Sequence, residues 1–396
     1  MNVRTTRRSV VSTMSVFAAT TIVLAIVFLT STNPARVSSI PKNFDAQLAV
    51  FRGNGLVTNF GSQQTPRAET SNNGVGWVLT NGGLEVTTNN GATFQTIEPP
   101  VTTANITDVS IEGEEITITS VVNGVVTIVT SSNSGSSWSS DSINANQPDA
   151  ANAQIVANAG VVLGVFVTNQ SNVNFSSGEW FSTSSNGTWV ENGAPAGGGV
   201  TYLNGKLWLV GGPIETEVFV SGNDGLSWST VAVPPSVTSS QSALAIPGEI
   251  EGSSVVLVAT RSPQTSTEGI GETVYTSDDE GETWSVLGNV SFDGDVGVGV
   301  PAPTEVVGNE VWIANPGGPQ IADMSSSGVI SNMELNVGGG EPAIGALSGG
   351  TSTIAWATVL TTDCPSGKSS CSEASSLYSM ATSGWIPVQL SNVPAS

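Results

Sequence analysis

Apolar positions in this chain come in short runs rather than in helical stripes. In residues 74–97 the runs WVLT and LEVTT are parted by NGG, a polar octapeptide follows, and FQTI closes the unit. Residues 205–233 repeat the order: GKLWLVGG, a loop, EVFV, the octapeptide SGNDGLSW and then STVAV. Upstream segments such as ITDVSIEG (106–113) and VTYLNG (200–205) supply one more run per unit. Short Val-, Ile-, Leu- and aromatic-rich runs between Gly, Asn, Asp and Ser predict strands joined by tight turns. After residue 45 little reads as a long amphipathic helix.

The octapeptide is the repeating element. TTNNGATF (87–94), SSNSGSSW (131–138), SGNDGLSW (221–228) and SDDEGETW (277–284) share Ser/Thr-x-Asn/Asp-x-Gly-x-Ser/Thr-Trp/Phe. STSSNGTW (182–189) is one residue short, YSMATSGW (378–385) is a worn copy, and IADMSSSGVI (321–330) keeps the turn composition without the aromatic. The aromatic ends, Phe94, Trp138, Trp189, Trp228, Trp284 and Trp385, are spaced 44, 51, 39, 56 and 101 residues apart, the last step spanning two units. Seven units of about fifty residues, each with four short antiparallel strands, predict an all-β, seven-bladed propeller. A six-bladed ring, a solenoid or stacked sandwiches are the alternatives.

The octapeptide resembles the Asp-box, or BNR repeat, of the sialidase superfamily of β-propellers. The first unit, GW-V-x-x-x-GG-L-x-x-T-x-N-x-G-x-T-F, is also similar to photosystem II stability/assembly-factor-like propellers. The resemblance covers most of residues 74–390 and implies a fold more than an activity. Its physical logic is local. Asn89, Asn133, Asn223 and Asp279 offer a side-chain oxygen to turn amides. Gly91, Gly135, Gly225 and Gly281 can take positive φ, and Phe94, Trp138, Trp228 and Trp284 bury an apolar surface under the turn. Asn in three of the four best copies keeps the acceptor but lacks the charge, so the box is read as structural rather than as a cation or acid–base site.

The first 35 residues change the picture of location. Arg4, Arg7 and Arg8 precede an uncharged stretch from Ser9 to Ala35 whose apolar centre is Val16–Leu29. Its length and the lack of a clear small-x-small cleavage site predict a transmembrane signal anchor at 9–33, after a cytoplasmic basic start at 1–8. Residues 34–43 then read as a linker and 44–396 as the extracytoplasmic propeller, with FDAQLAVFR (44–52) a candidate ring-closing outer strand. Secretion after signal cleavage is the alternative. Export favours a disulfide between Cys364 and Cys371 in DCPSGKSSCSE.

Charge and composition exclude more chemistry than they suggest. From Arg36 onward seven basic residues face 32 acidic ones, a net charge of −25, so no basic footprint for nucleic acid exists. The chain has no histidine, which removes the usual general base and the commonest transition-metal ligand. No metal or cofactor is expected. A sialidase requires an arginine triad, but beyond the membrane stretch only Arg36, Arg52, Arg67 and Arg261 remain, and FRGN (51–54) matches the sialidase Phe-Arg-Ile-Pro motif only in its first two residues. The acidic triplets Glu112/Glu114/Glu115 and Asp278/Asp279/Glu280 read as solvated turns. Trp77, Trp208, Trp312 and Trp356 recur at matching strand positions and read as packing between blades.

The connections between second and third strands should emerge on the face opposite the boxes. Three are long: 168–179, 260–273 and 361–373. Loops on a rigid scaffold often carry function, and Arg261 and Lys368 are rare cations within them. The expected function is a membrane-anchored, non-catalytic binding or scaffold module for a protein or surface glycan. The alternatives are a glycoside hydrolase using central carboxylates and an assembly or stability factor for a membrane complex.

Overall fold

Turn chemistry sets the strand boundaries. Asn123–Gly124 and Asn204–Gly205 both take positive φ (51° and 77°, 52° and 75°), the mirror-image turn whose twist suits a hairpin. The computed structural model describes residues 68–388 apart from short connecting segments, the longest being 170–177, 262–269, 293–301 and 364–371. All described residues belong to the unit Ile40–Ser396. The anchor at 9–33, the linker, segment 44–52, Lys368, Cys364 and Cys371 lie outside them. Among the described residues no helix is long and apolar enough to cross a membrane.

The strands form seven four-stranded antiparallel sheets, each from four consecutive strands. Blade 1 is β1–β4 (Ala68–Thr70, Gly76–Thr80, Gly83–Thr87, Gln95–Ile97), and blade 2 is β5–β8 (Ile106–Glu112, Glu115–Val122, Val125–Ser131, Ser139–Asn144). Blade 3 is β9–β12 (Ala150–Asn158, Val161–Asn169, Gly178–Thr183, Trp189–Ala194), and blade 4 is β13–β16 (Gly197–Leu203, Lys206–Gly211, Glu217–Ser221, Ser229–Val231). Blade 5 is β17–β20 (Ser242–Ile250, Ser254–Arg261, Ile270–Ser277, Ser285–Phe292), and blade 6 is β21–β24 (Thr304–Val307, Glu310–Ala314, Gln320–Ser325, Ile330–Glu334). Blade 7 is β25–β28 (Glu341–Thr351, Ile354–Asp363, Ser372–Ala381, Gly384–Pro387). First strands neighbour one another around the ring, from β5 through β9, β13, β17, β21 and β25 to β1, so they are innermost. Ring closure is made by β1 lying against β25 and β26. The ring has seven blades, not six.

The core lies between blades. Trp77, Trp208, Trp312 and Trp356 sit on second strands and are each 1% exposed. Trp208 packs with Leu244, Ile246 and Leu257 of blade 5, Trp312 with Ile344 and Leu347 of blade 7, and Trp77 with Ile106 and Ile116 of blade 2. Trp356 meets Phe94 of blade 1 at a ring-centroid distance of 6.0 Å. Each therefore faces the following blade.

The octapeptides complete these seams. They form the third-to-fourth turns, and the glycine of each rests on the preceding blade. A Cβ on Gly281 would stand 2.4 Å from Val231 Cγ1 and 3.3 Å from the Trp208 ring, while one on Gly225 would fall 2.1 Å from Trp180 Nε1. Trp180 Nε1 donates to the Asp224 carbonyl at 2.9 Å, and Trp284 Nε1 to the Ala232 carbonyl at 2.7 Å. Trp385 meets Trp312 edge-on at 5.8 Å. The turn aromatic thus reaches past its own turn to the neighbouring blade, a long-range contact that local spacing did not reveal.

Gly281 (φ 89°) lacks room as well as freedom, whereas Gly205 (φ 75°) has its nearest neighbour at 3.9 Å. Gly281→Ala should destabilise the protein by about 3 kcal/mol or more through strain and clash together. Gly205→Ala should cost about 1–2 kcal/mol through backbone conformation alone. Denaturant titration of both variants checks the difference, and equal losses would refute the seam assignment of Gly281.

Candidate functional site

Antiparallel order divides the connections between two faces. First-to-second and third-to-fourth turns emerge on one, the turn face; second-to-third loops and blade-to-blade connections emerge on the other, the loop face. On the turn face four octapeptides share one network. The hydroxyl of Thr87, Ser131, Ser221 or Ser277 donates to the Asn89, Asn133, Asn223 or Asp279 Oδ1 at 2.8–3.0 Å. The same hydroxyl accepts from the N–H of Gly91, Gly135, Gly225 or Gly281 at 2.7–3.0 Å. Each Oδ1 also accepts from the N–H of Thr93, Ser137, Ser227 or Thr283 at 2.8–3.0 Å. With asparagine, Nδ2 donates to that residue's hydroxyl (2.9, 2.8 and 2.9 Å). With Asp279 the direction reverses and the Thr283 hydroxyl donates to Oδ2 at 2.5 Å.

Every acid of Asp278, Asp279 and Glu280 has a protein partner. Asp278 accepts from Ser254 and Glu280 pairs with Lys206 of blade 4. The Thr283 hydroxyl and amide, then the Ser277 hydroxyl, hold the Asp279 carboxyl below its ordinary range. A depressed carboxyl pKa contributes stability that is present above the unfolded pKa and lost as pH falls through the folded one. Among the described residues no group of three His, Cys, Asp or Glu side chains could hold a metal ion. Glu114 and Glu115 are exposed beside the β5–β6 turn. Asp279→Asn should leave Tm unchanged, since Nδ2 can bond the Thr283 hydroxyl as in the sister turns, whereas Asp279→Ala should lower it. A calorimetric scan in which Asn is as harmful as Ala would mean that charge is needed.

Polar side chains of the inner strands hold blade to blade. Asp108 Oδ2 accepts from the Ile155 amide at 2.7 Å while Oδ1 accepts from Val109 at 2.8 Å. Gln154 donates to the Val200 carbonyl at 2.9 Å and accepts from the Val200 amide at 3.0 Å. Thr107 and Thr119 both donate to the Ala153 carbonyl, at 2.9 and 2.7 Å. In register, Asp108 faces Thr119, Gln154 faces Phe166, Thr201 faces Trp208, Glu305 faces Trp312 and Ser348 faces Trp356. A polar residue therefore recurs opposite the second-strand packing position.

On the loop face, Arg261 is the last residue of β18, and Lys368 falls in the connection 364–371, outside the described residues. Nothing in the described structure brings the two together. One residue at this end was not singled out from the sequence. Glu272 of β19 is 1% exposed, and its Oε2 accepts from the Thr260 hydroxyl at 2.7 Å. Oε1 has no hydrogen bond among the described residues. Glu272 lies opposite Val290 and two residues before Val274, so by strand alternation it shares their side. That side packs against Val311, Ile313, Ala322 and Met324 of blade 6. The alternation of GETV already placed Glu272 in line with a core valine; its abundance of acidic company concealed it.

Burial raises the Glu272 carboxyl from 4.5 to about 8, with the Thr260 hydroxyl opposing. The folded chain then holds a proton that the unfolded chain releases. Stability should fall as pH rises from about 4.5 to about 8 and level off above that, a loss on the order of a few kcal/mol. Glu272→Gln should flatten this slope in denaturation curves taken across that window. An identical slope in the variant would show that other groups carry the proton uptake.

No protein-family profile matches the chain, and no curated protein does. Solved structures do. A streptogramin B lyase is 14% identical with a TM-score of 0.50, covering 81% of this chain and 92% of its own. The β-propeller domain of Myceliophteria thermophila Swd1 is 9% identical with a TM-score of 0.48, covering 82% and 98%. An ancestral GH74 enzyme is 15% identical with a TM-score of 0.46, covering 84% and 51%. At such identities the likeness to the lyase shows the fold alone, a seven-bladed β-propeller.

Proposed function

We propose that this chain is a non-catalytic binding or scaffold propeller of the Asp-box class. Its amino-terminal segment holds it at a membrane, and its loop face meets a protein or surface glycan outside the cell. The observation that carries the reading is where the chemically capable side chains are committed. Asp108 and Gln154 bond the main chain of the next blade, and Asp278, Asp279 and Glu280 hold turns. Connections of variable length gather instead on the loop face, with Arg261 and Lys368 in an otherwise acidic chain. The fourfold hydroxyl–Asx–glycine network supports the Asp-box assignment. The scarcity of arginine stands against a sialidase, and no cofactor is called for.

The test uses the full chain in detergent against arrays of surface glycans and purified envelope proteins. Capture of one ligand is expected, with Arg261→Glu and deletion of 365–370 each abolishing it at unchanged Tm. Turnover of a fluorogenic glycoside, lost on substitution of a single carboxylate, would replace the binding reading with a hydrolase. Capture untouched by both loop changes would move the site elsewhere.

A further inference from the structure

Six seams of the ring carry an aromatic from the turn of the following blade: Phe94, Trp138, Trp189, Trp228, Trp284 and Trp385. At the seam between blades 5 and 6 the turn runs from Ser325 to Ile330 without one. Val329 is 66% exposed there and Ile330 39%. Ile330 pairs in register with Met324 and shares its side, toward blade 5. Across the seam Leu287 of β20 is half-buried against the cluster that holds Met324. The two blades touch at this place. A Cβ on Gly328 would stand 2.4 Å from the Leu287 carbonyl oxygen, and one on Gly288 would stand 2.8 Å from Met324 Cε. Leu287, Val329 and Ile330 therefore form one apolar patch on the rim, at the place where the other seams carry an aromatic.

The strand beside the patch is unusual among the outer strands. β20 is the outermost strand of blade 5. Val286 and Gly288 face consecutive residues of β19, Tyr275 and Val274, so Leu287 is the extra residue of a bulge. Beyond the bulge, Gly288–Phe292 carries neither charge nor proline, roughly 17 Å of strand at the usual rise. The other outer strands are guarded in the ways that discourage pairing. β8, β12 and β24 hold Asp141, Glu191 and Glu334, β28 ends on Pro387, and β4 and β16 have three residues each.

Together these features say what fits. An extended segment can add a strand to β20 and lay an aromatic side chain over Leu287, Val329 and Ile330, as the ring's own aromatics lie over the other six seams. Charge narrows the choice. Glu282 leads into β20 and Glu334 ends β24, both exposed, in a strongly acidic chain. Lys or Arg beside the aromatic is complementary, whereas a second copy of this chain would bring like charges together.

We propose that the rim of the seam between blades 5 and 6 is a docking site for an extended cationic segment of a partner protein, which pairs with Gly288–Phe292 and supplies the aromatic that this seam lacks. The site is separate from the loop face and does not rest on the reading proposed for that face.

A dye-labelled synthetic peptide of alternating threonine and valine, with one central tryptophan and lysine at both ends, tests this by fluorescence anisotropy against the full chain in detergent. It should bind saturably and slow hydrogen exchange of the 288–292 amides. Replacing its tryptophan by alanine, or its lysines by glutamate, should weaken binding about tenfold or more. Val329→Asp and Ser291→Lys, both at exposed positions, should weaken it similarly at unchanged Tm. Val125→Asp, on the loop face, should have no effect. Absence of saturable binding, or binding that both rim variants leave intact, overturns the proposal. So does self-association of the chain without peptide that Val329→Asp abolishes, which would make a second copy the occupant.

Discussion

The ring depends on one contact repeated around it: a bulky side chain of one blade beneath the glycine turn of the next, from the second strand at Trp356 and Trp208, the third at Trp180 and the fourth at Ile97. A blade of four short strands cannot bury both faces alone, so its stability comes from its neighbours. The turn must come very close, which requires glycine, and glycine must hold positive φ, which the hydroxyl–Asx network enforces. The half-buried aromatic at the turn's end then covers the seam, a burial worth about 1.5–3 kcal/mol. The same eight residues therefore shape a hairpin and join two blades, so that local preference and global packing agree.

That arrangement governs the polar residues too. Innermost strands have one edge facing the axis and no fifth strand to pair with, and their flanks must still be joined across each seam. Asp108, Gln154, Thr107 and Thr119 join them by bonding the next strand's main chain. Carboxylates near the axis of a propeller invite an enzymatic reading, but a side chain with both oxygens bonded to backbone amides is a bracket. Lys206 and Glu280 likewise join blade 4 to the turn of blade 5. The acidic octapeptide around Asp279 owes its composition to the turn and the seam.

Much of this was legible in the sequence because the governing pattern is local. The octapeptides, their spacing and the four recurring tryptophans yield blade number, turn position and packing role without any long-range information. Partners across a seam were not legible. Nothing near Trp284 announces the Ala232 carbonyl, and nothing near Asp108 announces Ile155, because these pairings exist only once two blades have met. Glu272 was half visible: strand alternation put it inward, while the number of acids in the chain made one more seem unremarkable. Arg261 and Lys368 were chosen for rarity alone, and rarity carries no geometry.

The seam between blades 5 and 6 shows what happens when the seam tryptophan and the turn aromatic are absent. Blade 5 presents Val256 and Val258 to blade 6 in place of a tryptophan. The facing turn keeps a positive-φ glycine, Gly328, but has Val329 at 66% exposure where the other turns lead to an aromatic. Both halves are missing together at this seam. The inner strand of blade 5 has a register shift between Ala245 and Gly248, as the inner-strand pairings of blades 2, 3, 4 and 7 also do; what sets this seam apart is Glu272, buried on the blade 6 side. A seam with less aromatic burial and a carboxyl short of partners has the smaller free energy of local opening. The connections 262–269 and 293–301 join β18 to β19 and β20 to β21, the strands of this pair of blades. The seam with the least aromatic packing and two of the longer connections therefore belong to the same pair of blades.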